Sequence, residues 1–277
     1  MSRPLAPAPR LPLADGSSIP QLGYGLYKVP PADAARLCLD AIDAGYRHLD
    51  TAAFYGNERE VGEAVRASGL ARGELFVTSK VWKDDNGYDS ALRAFDESMR
   101  RFALDRLDLF LIHWPVPSTD RYVDTWRALI RLRDEGRVSS IGVSNFHAHH
   151  IERLVAETGE SPVVNQVELH PWLPQAALRE FGTARGIRTE AWSPLARGRV
   201  LGTPLLDELA AKHRRSPAQV VLRWHVQLGN IVIPKASRPE RIRENLDVFD
   251  FELDADDLAA IASLDSGERT GRDPDDD

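Results

Sequence analysis

The chain has 277 residues, a formal net charge of -7, and a composition that is 43% apolar and 28% charged. That is the profile of a soluble globular protein, not of a disordered or fibrous one. No apolar run approaches the roughly 20 residues a membrane helix needs, the acidic balance argues against nucleic-acid binding, and the single cysteine, Cys38, excludes an internal disulfide and suits a cytoplasmic location.

Met1 to Arg10 is rich in Pro and Ala and lacks the apolar core of a secretory signal, so it reads as a loose arm, with residues 1–9 expected to be flexible. A short hairpin around Leu11–Ile19 turns at Asp15-Gly16. A strand near Leu22–Tyr24 then leads to a helix over Ala32–Ala44, with Pro30-Pro31 before it and Gly45 after it. Tyr46–Leu49 is the next strand, followed by a helix over Glu58–Ala67 that closes at Gly69.

Leu75–Val81 gives a third strand, and Ser90–Phe102 its helix, with Leu92, Phe95, Met99 and Phe102 spaced for one buried face. Leu107–Ile112 is a strand apolar on both sides, as expected for one covered on both faces. Val138–Val143, Val163–Val167, Ile187–Trp192 and Ile231–Ile233 supply four more. Helical segments fall near Val123–Asp134, Ile151–Glu157, Pro174–Ala184 and Ser216–Leu228.

Eight strands in strict alternation with helices predict a single α/β domain over residues 1–277: a (β/α)8 TIM barrel with an N-terminal hairpin and a C-terminal tail. The competing doubly wound nucleotide fold lacks its fingerprint. Gly23-Tyr24-Gly25-Leu26-Tyr27-Lys28 has two glycines, ends in Lys28, and opens no helix. The acidic end, with Asp273, Asp275, Asp276 and Asp277, reads as a solvated tail, and 267–277 as flexible.

Asp50, Tyr55, Lys80 and His113 each follow or end a predicted strand, where a parallel barrel gathers its site. A phenol beside an ammonium, an imidazole and a carboxylate can hand a proton to a carbonyl oxygen without a metal. Taken singly, Asp50 and Lys80 read as a structural ion pair and His113 as a core histidine. Four in register at strand ends favour chemistry. His147, His149 and His150 invite a metal reading, but they open a helix and lack an obvious carboxylate partner, so they read as a solvated helix start and no metal is expected.

Asp50-Thr51-Ala52-Ala53-Phe54-Tyr55-Gly56-Asn57-Glu58 resembles the strand-two motif of the aldo-keto reductases. Lys80, His113-Trp114-Pro115, Gly142-Val143-Ser144-Asn145-Phe146 and Asn165-Gln166-Val167-Glu168 continue the resemblance in order, from about Leu22 to Asp265. It implies that Tyr55 is the general acid, that Lys80 brings its pKa nearer to working pH, that Asp50 holds Lys80, and that His113 aligns the carbonyl.

It also implies an NADPH/NADP+ cofactor. Ser144, Asn145 and Gln166 would meet the nicotinamide carboxamide, Trp192 would stack on the ring, and Ser193 and Leu195 would lie along the pyrophosphate. Ala191-Trp192-Ser193-Pro194-Leu195 is similar to the bacterial 2,5-diketo-D-gluconate reductases, whereas Ala196-Arg197-Gly198 departs from the usual loop. Lys235, Ser237 and Arg241 would hold a 2′-phosphate, with Ala236 where Ser or Thr is common, and Glu244 and Asn245 would meet the adenine.

Tyr27, Phe54, Trp82, His113 and Trp114 would form the substrate wall, while Trp126, Trp172 and Trp224 read as core. The implied reaction is reduction of aldehydes and ketones, α-dicarbonyls or keto sugars such as 2,5-diketo-D-gluconate. The implied partner is a small-molecule carbonyl substrate, with no nucleic acid or membrane and a monomeric state. Two alternatives stand beside it: a Schiff-base aldolase using Lys80, and a non-catalytic nucleotide sensor.

Overall fold

The computed structural model describes residues 5–276. Strands β1 (Arg10–Pro12) and β2 (Ser18–Pro20) form the antiparallel hairpin, which turns through Gly16 at φ +84°. Eight parallel strands follow in sequence order: β3 (Tyr24–Gly25), β4 (His48–Asp50), β5 (Phe76–Val81), β6 (Leu107–Ile112), β7 (Val138–Ser144), β8 (Val164–Glu168), β9 (Arg188–Trp192) and β10 (Ile231–Val232). The ring closes where Val232 N donates to Gln21 O and Gly23 N donates to Val232 O, beside a parallel bridge from Leu22 to Val232. This is the expected barrel.

The helices are α1 (Pro31–Ala44), α2 (Glu58–Ala67), α3 (Tyr88–Phe102), α4 (Tyr122–Asp134), α5 (Ala148–Thr158), α6 (Ala176–Ala184), α7 (Pro204–His213), α8 (Pro217–Gln227), α9 (Pro239–Leu246) and α10 (Ala255–Ala262). The alternation is less strict than expected, because both α7 and α8 separate β9 from β10. Proline at the first turn of each fits a position whose N–H needs no helical partner, and Ser216 caps α8 by accepting from Gln219 N. In α3 the fully buried face is Ala91, Ala94, Phe95, Ser98 and Phe102, rotated from the expected one so that Leu92 and Met99 sit at its edges.

Two apolar cores result. The larger lies between strands and helices and includes Phe95, Phe110, Trp126, Trp224 and the buried thiol of Cys38. The smaller fills the barrel's lower interior, where Leu13 and Ile19 of the hairpin pack against Phe76, Leu109, Leu111, Val164 and Ile231. The hairpin is therefore a plug. Arg188 Nε donates to Pro12 O at 3.0 Å and Ser140 Oγ to Asp15 Oδ2 at 2.6 Å, pinning it in place.

The two ends of the chain differ from the expectation of loose segments. Residues 1–4 and Asp277 lie outside the described residues. From Leu5 the arm packs on α1, with Leu5 N donating to Ala44 O and Ala8 buried. The tail is tied down by Glu168 at the end of β8, whose carboxylate accepts from Thr270 N at 2.6 Å and Gly271 N at 3.0 Å. Its acidic sequence concealed this, because the acceptor lies 102 residues away.

Candidate active site

Asp50 closes β4, and Lys80 stands next to last in β5, paired in register with Leu111. Tyr55 ends a single 3-10 turn, Ala53–Tyr55, which Gly56 terminates at φ +70°, a conformation glycine adopts without a Cβ clash. His113 follows β6, its N–H bonded to Val81 O. The barrel geometry brings these four elements together at the carboxyl ends of the strands.

Lys80 is fully buried. Its Nζ donates to Asp50 Oδ1 at 2.7 Å, to Asp50 Oδ2 at 2.9 Å and to Thr51 O at 2.8 Å, so all three ammonium protons are engaged. The same Nζ lies 5.3 Å from the centroid of the Tyr55 ring, and that ring meets His113 edge-on at 5.7 Å. Lys80 thus acts on Tyr55 as a nearby charge from below, without lining the cleft itself.

Burial first, and then the charge of Asp50, holds the Tyr55 phenol well above its usual range. Tyr55 is half-buried and partly open to the cleft. His113 is pushed the other way: burial first, then the charge of Lys80, lowers it well below the usual imidazole range, so it is neutral. Its Nδ1 is buried and has no hydrogen-bond partner among the described residues.

Beneath these groups lies a layer the sequence reading missed. Gln166 Nε2 donates both to Asp50 Oδ2 and to Glu190 Oε2, each at 2.8 Å. Glu190 is fully buried, and burial together with the charge of Asp50 raises its carboxyl to about 8. His48, also fully buried, approaches Glu190 at 3.8 Å and Thr78 Oγ1 at 3.0 Å, and burial holds its imidazole down to about 3. Gly23 makes room for it, since a Cβ there would lie 2.4 Å from His48 Nδ1. The available signal was a titratable residue, His48 or Glu190, inside each of two short strands, at the parity that faces the barrel axis.

One cleft of about 1670 Å³ opens above this layer. Asp50, Tyr55 and His113 form its floor, and Tyr27, Phe54, Trp82 and Trp114 stand along one wall. Phe54 stacks on Trp82 at 3.9 Å, and Trp82 meets His113 edge-on at 5.1 Å. Ser144, Asn145, Gln166, Trp192, Ser193 and Leu195 also line the cleft. Lys235, Ser237, Arg241, Glu244 and Asn245 line it too, and Arg197 and Arg238 join them although the sequence reading did not select them.

The group of Ser144, Asn145, Gln166 and Trp192 is already internally bonded. Trp192 Nε1 donates to Asn145 Oδ1 at 2.9 Å, and Asn145 Nδ2 donates to His113 O and Ser144 Oγ. Ser144 Oγ donates to Gln166 O. Asn145 is held at φ +63°, in the left-handed region that Asn tolerates better than most residues. The network fixes the indole of Trp192, against which Gly271 of the tail packs so closely that a Cβ would lie 2.6 Å from the ring.

The departing loop, Ala196–Gly202, folds as short 3-10 turns with Arg197 and Gly198 in the left-handed region. Arg199 reaches from it to Glu268 at 2.5 Å, linking loop and tail. The histidine cluster also differs from expectation, since its carboxylate partners arrive from that tail. His147 Nε2 bonds Asp273 at 3.0 Å, and His149 and His150 lie 3.3 and 3.1 Å from Asp275. His150 Nδ1 accepts the His147 N–H, which leaves the Nε2 proton of a neutral ring facing Asp275.

Residues 20–266 match the model of the aldo/keto reductase family. The chain is 54% identical to an aldo-keto reductase of Mycolicibacterium smegmatis, over 96% of this chain and 97% of that one. It is 48% identical to the methylglyoxal reductase DkgA of Salmonella typhimurium, over 95% and 96%. A solved structure of a Gox0644 mutant in complex with NADPH superposes with a TM-score of 0.94 at 49% identity, covering 98% of each chain. With the barrel closed and the carboxylate, phenol, ammonium and imidazole gathered at one end of it, the chain belongs to the aldo/keto reductase family of oxidoreductases.

Proposed function

We propose that this protein reduces aldehydes and small ketones to alcohols with NADPH, with α-dicarbonyls and keto sugars the preferred carbonyl class. The observation that carries the reading is the placement of Tyr55 on the cleft floor, over Lys80 and against His113. The similarity to a methylglyoxal reductase supports the dicarbonyl class.

The lining fits such a cofactor. The cleft is larger than the roughly 300–1,000 Å³ typical of a single small-molecule site, and Lys235, Arg238 and Arg241 in its lining supply cations for a phosphate. An indole fixed by Asn145 offers a flat apolar surface for the nicotinamide ring. When bound there, NADPH supplies a hydride to the carbonyl carbon.

The chain's own residues then account for the proton. Neutral His113 has one ring N–H to donate to the carbonyl oxygen, which orients and polarises it. Tyr55, held protonated by its raised pKa, transfers its hydroxyl proton to that oxygen as the alcohol forms. The tyrosinate left behind is stabilised by the Lys80 charge, and Asp50 keeps that charge in place with two bonds. Lys80 as a Schiff-base nucleophile is disfavoured, since its amine is spent on Asp50 and Thr51 and lies outside the cleft wall.

The test is NADPH oxidation across methylglyoxal, phenylglyoxal, aromatic aldehydes and 2,5-diketo-D-gluconate, with wild type and Tyr55→Phe. Turnover by wild type with a loss of roughly 10²–10⁴-fold in kcat for the variant is expected from a lost general acid. Undiminished reduction by Tyr55→Phe would remove Tyr55 from the acid role, and a preference for NADH would overturn the phosphate reading.

A further inference from the structure

The fully buried Glu190 makes its one bond toward the cleft through Gln166. Gln166 Nε2 has two protons, and both go to carboxylate oxygens at 2.8 Å, one on Asp50 from β4 and one on Glu190 from its neighbour strand β9. Asp50 is a carboxylate, and Glu190 meets the amide through Oε2, an atom that can accept whether its carboxyl is charged or neutral, so the nitrogen side of the amide faces them. The carbonyl Oε1 is the end left for the cleft that Gln166 lines.

With Asp50 alone as a partner, this preference is weaker, because Asp50 already accepts two bonds from Lys80. Glu190 Oε2 supplies a second acceptor, so the amide as it stands satisfies both of its N–H protons within the protein. A flipped Gln166 would point its own oxygen at Glu190 and Asp50 and present donors to the cleft. A bound carboxamide NH2 needs an acceptor there.

We propose that Glu190 is a positioning residue for cofactor binding, which fixes the amide of Gln166 so that its oxygen, and not its nitrogen, meets the carboxamide of the nicotinamide. The inference rests on the NADPH reading above. The three-residue set of His48, Asp50 and Glu190 could by its residue types hold a metal. The structure assigns it to this network instead, since Asp50 is occupied by Lys80 and Gln166 and Glu190 by Gln166.

The experiment is a double-mutant cycle on NADPH affinity, read by quenching of tryptophan fluorescence. The variants are Glu190→Leu, Gln166→Ala and the pair, with Glu190→Gln as the conservative control. Glu190→Leu keeps the volume but removes the acceptor, and a rise in Kd of roughly fivefold to tenfold is expected from one misoriented hydrogen bond. Glu190→Gln retains a carbonyl acceptor for Gln166 and is expected to bind NADPH as wild type does. In the Gln166→Ala background, Glu190→Leu is expected to add nothing, because the group it positions has gone.

Additive losses in the pair would overturn the inference, and so would wild-type affinity in Glu190→Leu. Loss of affinity in Glu190→Gln equal to that in Glu190→Leu would overturn it as well. Should Glu190→Leu fail to fold, Glu190→Ala, which also removes the acceptor, takes its place alone and in the pair with Gln166→Ala, and decides between coupling and independence. Wild type that binds no NADPH overturns the functional reading itself, a result distinct from a wild type that binds while the cycle shows no coupling.

Discussion

The two ends of the barrel interior belong to one ring of strands but are built by opposite rules. At the lower end Phe76, Leu109, Leu111, Val164 and Ile231 close on Leu13 and Ile19 of the hairpin, an apolar plug with nothing to satisfy. Further along β5 and β8, and on the neighbouring strands β4 and β9, Lys80, Gln166, Asp50 and Glu190 are equally buried and must satisfy every donor. The lower end gains stability from area removed from water. The upper end bears a desolvation cost that only close pairing offsets, in return for groups with shifted pKa values.

The sharpest way to break the comparison is to remove one polar partner. Asp50→Leu leaves the Lys80 ammonium buried and unpaired, and should cost roughly 3–5 kcal/mol of stability and abolish turnover together. Urea denaturation and kcat on methylglyoxal measure the two, and a stable variant that retains activity would show that the pair is dispensable. Leu109→Ala, in the plug, should cost about 2–5 kcal/mol through transfer and cavity terms, yet leave kcat/KM near wild type wherever the protein is folded. A large activity loss there would mean that the two ends are not separable.

A smaller effect tests the shared strand β9. The Glu190 carboxyl titrates near 8 in the folded protein against about 4.3 when free, so the native state holds a proton that the unfolded chain has lost over that interval. Stability should therefore fall as pH rises from about 4.3 to about 8 and level off above, a direction fixed by linkage. Glu190→Gln should flatten that slope in melting temperatures taken at pH 5.5 and 8.5. Parallel slopes in the two proteins would assign the fall to other groups.

The smallest effect concerns the rim. Glu168→Gln weakens the acceptor for Thr270 and Gly271, whose bonds, with that of His170, outweigh the upward push of burial and hold the Glu168 carboxyl below its usual range. The tail should loosen, with faster amide exchange at residues 270–271 and a change of about 1 kcal/mol or less in global stability. Unchanged exchange would place the anchor elsewhere, in the histidine–aspartate contacts.

The alternation of apolar runs and amphipathic segments determined the barrel, because a strand covered on both faces and a helix with one buried stripe leave patterns a single sequence displays. The residue types at strand ends likewise made Asp50, Tyr55, Lys80 and His113 legible, with Trp192 and Lys235 beside them. The tertiary structure decided what depends on partners distant in sequence. It set the sign of the Tyr55 shift, through burial first and then the charge of Asp50. It decided that a tail readable as solvated is held by Glu168 and faced by His147 and His150. It also decided that Glu190, a single acid in an otherwise ordinary strand, sits under the site. Periodicity records which face of an element is buried, but not which polar group another strand will bring against it.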